Sequence, residues 1–326
     1  MSDRKIGIEA IEYYLPSQVT TSDDLAERYG FDKEFVEKKV GVSNLYTTQS
    51  NETVLDMSVR ALEKMLLARP GLRENIDLLV VCTQTSNYQL PQTSSQVQSK
   101  CNLPNGIASF DISLGCSGFV YGLSIVESMM KSYGFSNAVL ITADAYSKII
   151  DENDRNTKCL FSDAATATLI SDNGVLLSGE YIFGTDGDFF DRLIVTNFSG
   201  SEGNSDSCLY MDGRAIFNFT VSTIPDEIDK VCAKNKIDKG DIDHFILHQA
   251  SRFVIQSIAK KTGEDKDKFV DYLHKFGNTV SSSIPIALKE FLLEHNKTGS
   301  KLLISGFGVG LSWASTILTT KGESNV

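Results

Sequence analysis

The chain has 326 residues, 41% of them hydrophobic and 22% charged, and carries a formal net charge of −11. This length accommodates two domains or two fused similar halves, and no stretch reaches the roughly 20 apolar residues that cross a membrane. The acidic balance argues against a general nucleic-acid binder, whose phosphate contacts need a basic face; the polar start lacks the apolar core of a signal peptide, so the expected compartment is the cytoplasm.

In chain order, strand patterns fall at residues 5–15 (KIGIEAIEYYL), 76–85 (IDLLVVCTQT), 107–115, 137–145 and 164–172. Helix patterns lie between them at 52–68 and 94–101. Strands alternating with helices predict a mostly parallel sheet covered on both faces. After Asp172 the series partly recurs: VLLSGEYIFGT, a helix pattern over 215–235, IDHFILHQAS, a helix through KKTG, then KLLISGFGVG and WASTILTT. IDLLVVCTQT and IDHFILHQAS match in register, and AATATLI resembles WASTILT, which favours two fused α/β halves, 1–172 and 173–326. EGNSDS at 202–207 reads as a surface loop.

The six cysteines (82, 101, 116, 159, 208, 232) contain no CxxC pair, so neither a zinc site nor a disulfide framework is expected. Cys116 stands apart. It lies where FDISLG ends and a helix pattern through Phe119, Val120, Leu123 and Val126 begins. A helix start offers unpaired N–H groups and a dipole that stabilise a thiolate. A tightly packed turn explains this segment equally well. His248 follows the apolar DHFIL, at a strand's carboxyl end, where open α/β sheets place ligands. Asn278, in FGNTVSSSIPIALKE, opens another helix, as a cap or as a neutral donor. Cysteine beside histidine suits covalent acyl transfer. GFGVGLSW lacks the ending of a phosphate loop and reads as a tight turn lining the site.

The ordered set KVGV (39–42), ETVLDMSVRAL (52–62), CSGFVYGLS (116–124), NDRNTKCLFSDAATATL (153–169), MDGRAIFNF (211–219), HQAS (248–251), FGNTVSSSIPIAL (276–288) and GFGVGLSW (306–313) resembles β-ketoacyl-acyl-carrier-protein synthase III. The resemblance implies a thiolase fold, an α/β/α/β/α architecture of two similar halves, the first carrying the nucleophile and the second the histidine and asparagine. It implies that Cys116 takes an acyl group from a thioester and that a malonyl thioester then decarboxylates and condenses with it. His248 and Asn278 would donate to the enolate, while backbone N–H groups of Cys116 and the turn Gly308, Val309, Gly310 would hold the oxyanion.

The resemblance further implies no resident cofactor and no metal, with coenzyme A and acyl carrier protein thioesters as substrates. It implies a homodimer in which Leu90 reaches the partner's acyl pocket, and a substrate channel past Phe217. Phe35 and Lys39 fall where the family sandwiches the coenzyme A adenine, and Lys260, Lys261 and Arg252 fall on the surface that receives the carrier protein. The chain departs from the family pattern at Ser251, where HQAN is usual, at Lys39, which lacks a planar guanidinium, at FSDAATA in place of FGDGAGA, and at Leu45. These departures suggest a specialised paralogue. Two other functions are weighed: acyl transfer from Cys116 to an oxygen or nitrogen nucleophile without decarboxylation, and a non-catalytic scaffold partner. A hydroxymethylglutaryl-coenzyme A synthase is disfavoured, because no catalytic glutamate can be placed near these motifs.

Overall fold

A strand built from LLVVC has no polar face to offer water, so it must be covered on both sides. The structure, a computed structural model, describes residues 4–195, 208–295 and 297–321. The loop expected at 202–207 lies outside the described residues.

Ten strands form the main sheet: β1 (Gly7–Tyr14), β2 (Leu78–Cys82), β3 (Ala108–Ile112), β4 (Asn137–Asp144), β5 (Ala164–Ser171), β6 (Leu176–Ser178), β7 (Ile182–Thr185), β8 (His244–Leu247), β9 (Lys301–Gly308) and β10 (Ser312–Thr320). Their order is β8-β9-β10-β6-β1-β5-β4-β2-β3, with β7 paired to β10. The described helices of eight residues or more are α1 (Ser22–Tyr29), α2 (Val54–Ala68), α3 (Thr93–Lys100), α4 (Gly118–Tyr133), α5 (Gly213–Asn235), α6 (Arg252–Thr262) and α7 (Ser283–Glu294).

The sheet is mixed, which corrects the expectation of a mostly parallel one. Only β2 with β3, β2 with β4 and β8 with β9 run parallel. Each of these pairs is separated by a helix, whereas β9 and β10 are joined by a tight turn that can only reverse the chain. The segment VLLSGEYIFGT holds two strands, β6 and β7.

Alternation along the strands builds the layers. Leu78 and Val80 face a core shared with Phe119, Leu123 and Met130 of α4 and with Ile284, Leu288 and Phe291 of α7. Leu79 and Val81 point the other way, onto Met57, Leu62 and Met65 of α2. The second set of strands repeats the scheme, with Leu302 and Ile304 turned to the α4–α7 core and Leu303 to the core of α5 and α6. Helices α4 and α7 therefore form a middle layer buried between two faces of sheet, and each fully buried apolar side chain contributes about 1.5–3 kcal/mol.

The echoed sequences occupy matching places. Asp77, just before β2, accepts the N–H groups of Ser136 (2.6 Å) and Asn137 (3.1 Å) at the start of β4. Asp243, just before β8, accepts the N–H of Lys301 (2.8 Å) at the start of β9. Their own N–H groups donate to the carbonyls of Asn137 and Lys301 at 2.9 and 3.0 Å. AATATLI and WASTILT then form β5 and β10, the antiparallel neighbours of β4 and β9 respectively.

Each aspartate pins one parallel pair, so Asp77→Ala and Asp243→Ala are each expected to cost about 1–2 kcal/mol in urea unfolding. The cost at Asp77, with two N–H partners, is expected to be at least as large as that at Asp243.

Candidate active site

The middle layer brings two helix starts together. Cys116 sits just ahead of α4 and is buried. Strand β9 passes so close that a Cβ on Gly308 would lie 2.9 Å from Cys116 Cβ and 3.1 Å from its Sγ. A Cβ on Gly306 would lie 2.6 Å from the Cys116 carbonyl oxygen. Glycine is required at both positions for want of space. Beyond Gly308, the Ser312 hydroxyl donates to the Val309 carbonyl (2.8 Å) and bonds the Ser117 hydroxyl (2.8 Å), tying the turn to the residue after the cysteine.

His248 follows β8, and its N–H donates to the Ser305 carbonyl at 2.8 Å. His244, at the other end of the same strand, packs instead against Phe291 and His295. The His248 ring meets Phe307 edge-on at 5.6 Å between centroids, and its Nδ1 lies 2.7 Å from Ser283 Oγ, at the start of α7. Asn278 is stitched into the first half of the chain. Its N–H donates to Leu160 (3.0 Å), and its carbonyl accepts from Ser162 (2.9 Å). Asn278 Oδ1 accepts the Val280 N–H at 3.0 Å, leaving the amide Nδ2 as the donor end, 3.5 Å from the Ala250 carbonyl.

Cys116, His248 and Asn278 line one cavity of about 140 Å³, together with Phe217, Ser251 and Gly308. A larger cavity, of about 710 Å³, is lined by Leu90, Ile112, Tyr146, Phe190, Val309 and Gly310 among others. The Ser251 hydroxyl accepts the Val254 N–H at 3.3 Å and so caps α6. Serine and asparagine are equivalent caps, and the departure from HQAN leaves the helix start intact.

The outer residues separate into different neighbourhoods. Phe35 stacks on Phe31 (5.3 Å), which carries the Arg155 guanidinium on its ring (5.3 Å). Lys39 Nζ lies 5.4 Å over Phe253, which stacks on Phe217 at 5.0 Å. Phe35 and Lys39 thus rest on different aromatic rings. Arg252 is held by Asp271 (2.6 Å) and donates to the Glu37 carbonyl (2.7 Å), whereas Lys260 and Lys261 are exposed in the last turn of α6.

Burial pushes the Cys116 thiol up, and the nearby Asp144 charge pushes it further. The helix start was expected to favour a thiolate, but desolvation outweighs it. Burial also lowers His248 to about 3, so its imidazole is neutral. The resting pair is a thiol and an uncharged ring. A carboxylate at Nδ1 would favour an imidazolium, whereas the Ser283 hydroxyl can donate or accept and supports either tautomer.

Sequence reasoning passed over Ser283, Phe307 and Asp144. The run of three serines after Val280 held a signal. Ser281 donates to Asp144, Ser282 bonds Thr142 and Ser283 bonds His248. Among the described residues no group of His, Cys, Asp or Glu is placed to hold a metal ion, and no helix is long and apolar enough to cross a membrane. In a histidine-labelled sample, the His248 ring resonances are expected to stay at neutral-form positions from pH 8 down to 5. Titration near 6.5 would contradict the burial argument.

The chain is similar to known proteins over nearly its whole length. The family described as 3-oxoacyl-[acyl-carrier-protein (ACP)] synthase III matches residues 110–187, and its C-terminal counterpart matches residues 232–320. A β-ketoacyl-[acyl-carrier-protein] synthase III of Streptococcus mutans is 34% identical over 321 residues, covering 95% of this chain and 98% of the relative. One from Lactococcus lactis subsp. cremoris is 33% identical, covering 94% and 96%. A crystal structure of a 3-oxoacyl-(acyl-carrier-protein) synthase III superposes with a TM-score of 0.90 at 32% identity, over 97% of this chain and 99% of that one. A Burkholderia xenovorans 3-oxoacyl-(acyl-carrier protein) synthase superposes at 0.88 and 32% identity, over 98% and 95%. With a thiolase fold and full-length similarity of this kind, the chain belongs to the 3-oxoacyl-acyl-carrier-protein synthase III family of acyltransferases.

Proposed function

We propose that the protein joins an acyl primer, delivered as a coenzyme A or carrier-protein thioester, to malonyl-acyl carrier protein by decarboxylating Claisen condensation, giving a 3-oxoacyl thioester. The observation that carries this reading is the meeting of Cys116, His248 and Asn278 on one cavity of about 140 Å³.

Cys116 Sγ attacks the primer carbonyl as its proton passes to His248 Nε2, the nitrogen that Ser283 leaves for the cavity. The tetrahedral oxyanion collapses, the carbon–sulfur bond to the carrier breaks, and the departing thiolate takes the proton. Malonyl thioester then loses carbon dioxide, and the bonding pair becomes an enolate. Between the two half-reactions the neutral ring exchanges protons with solvent to the tautomer whose Nδ1 accepts from the Ser283 hydroxyl, so that Nε2–H of His248, with Nδ2–H of Asn278, donates to the enolate oxygen. Charge develops there only during reaction, where fixed donors in a dry cavity contribute most. The enolate carbon attacks the acyl carbonyl on Cys116, the thiolate leaves, and it recovers one proton from solvent.

Asn278 favours condensation over plain acyl transfer, which forms no enolate. Lys260 and Lys261 on an otherwise acidic chain would guide an acidic carrier protein to the rim, acting on encounter more than on tightness. Phe217 and Ser251 would line the thioester arm. Phe35 with Phe31 and Arg155 would offer an aromatic and guanidinium surface to the coenzyme A adenine.

A second copy is the expected partner. β3 ends the sheet with half-buried residues, while the opposite edge strand, β8, bonds the segment at Phe269 and Val270. An open edge invites pairing. Beside it, Leu90 is 79% exposed and Phe190 64% exposed on the larger cavity, the apolar material of an interface. In this reading the chain folds as two similar halves, 1–172 and 173–326, in the cytoplasm.

Cys116→Ala is expected to abolish the mass increase on incubation with acyl-coenzyme A; equal acylation of the variant would refute the nucleophile. Asn278→Ala is expected to keep acylation within about threefold while slowing release of labelled carbon dioxide from malonyl-acyl carrier protein by about 10²-fold or more. Sedimentation is expected to give twice the mass of one chain, and a single-chain mass would remove the dimer.

A further inference from the structure

The buried carboxylate of Asp144, at the end of β4, has no part in the reaction just described, yet two other segments meet on it. From the segment after β2, the Gln84 N–H donates to Oδ1 at 2.9 Å and the Thr85 hydroxyl at 3.3 Å. From the turn before α7, the Ser281 hydroxyl donates to Oδ2. Both arms continue to the reacting pair. Gln84 Oε1 accepts the Tyr146 hydroxyl at 2.9 Å and would stand 2.5 Å from a Cβ on Gly115, the residue before Cys116. Two residues after Ser281, Ser283 holds the His248 ring.

We propose that Asp144 is a positioning residue for the Cys116–His248 pair, a single carboxylate that sets the turn of the nucleophile against the turn that orients the imidazole. Asp144 touches neither substrate nor the reacting atoms. Its second effect is electrostatic. Among the described residues, the titratable groups that feel it are Cys116 at the start of α4, Cys82 on β2 and Tyr146 after β4; Asp111 on β3 acts on Cys82, and the charge that shifts Cys116 is that of Asp144. Its ionised form therefore opposes the Cys116 thiolate. Burial lifts Asp144 itself to about 7, so this opposition fades as pH falls.

The proposal rests on Cys116 being the nucleophile, and its test has one readout that needs no substrate. Asp144→Asn keeps the shape and removes the charge; Asp144→Ala removes both. Alkylation of Cys116 by iodoacetamide, followed on its own peptide by mass, is expected to run about threefold faster in Asp144→Asn than in wild type above pH 8 and equally fast at about pH 5.5, where the wild-type carboxyl is also uncharged. In condensation assays Asp144→Ala is expected to lose at least about tenfold in kcat with the primer KM within about threefold, and Asp144→Asn to recover most of that loss. A rate ratio that does not change with pH, or a folded Asp144→Ala protein with wild-type kcat, would overturn the proposal. If Asp144→Ala does not fold, the pH-dependent ratio in Asp144→Asn decides. If the wild type makes no 3-oxoacyl product, the condensation reading fails, and the alkylation ratio still judges Asp144.

Discussion

Helices α4 and α7 are enclosed by sheet on both sides, and this enclosure governs the rest of the molecule. A buried helix start must satisfy its polar groups within the protein, because water cannot reach them. Here the two starts face each other, and Cys116, at one of them, also lies on the cavity that His248 and Asn278 line. Cys116, Ser117 and the three serines from 281 to 283 lie where the fold already requires hydrogen-bonding groups, so the site is an outgrowth of the packing.

The same enclosure sets the electrostatics. With little water around them, Cys116 and His248 are both held uncharged. Glycines 306 and 308 contribute by letting β9 approach Cys116 without a side chain between. Phe307, between them, turns away onto the His248 ring. One strand therefore bounds the cysteine with its backbone and braces the histidine with a side chain.

Much of this was legible in the sequence because it is local. The run around 78–82 and the apolar pattern of Phe119, Val120, Leu123 and Val126 announce their elements by period alone, and the in-register echo of IDLLVVCTQT in IDHFILHQAS pointed to strands that occupy matching places. The three residues on the small cavity were each singled out from a strand end or a helix start. What escaped was non-local. The run of serines marks Ser283 but does not reveal that its hydroxyl meets His248, thirty-five residues away, and nothing near Asp144 reveals that its partner is Ser281. Strand direction was misjudged for a related reason: alternating elements suggest crossovers, but the length of each connection decides. The outcome at Cys116 turned on a contest that sequence cannot weigh, between a helix start that favours charge and a burial that forbids it.

The hydroxyl at His248 Nδ1 carries one more consequence. Bonds between a neutral ring and a neutral hydroxyl have no ionic atmosphere to lose, so dissolved salt leaves them largely untouched. The surface lysines at the end of α6 are open to screening. Ionic strength would thus separate the arrival of an acidic carrier from the chemistry inside, slowing the first while the second keeps its pace.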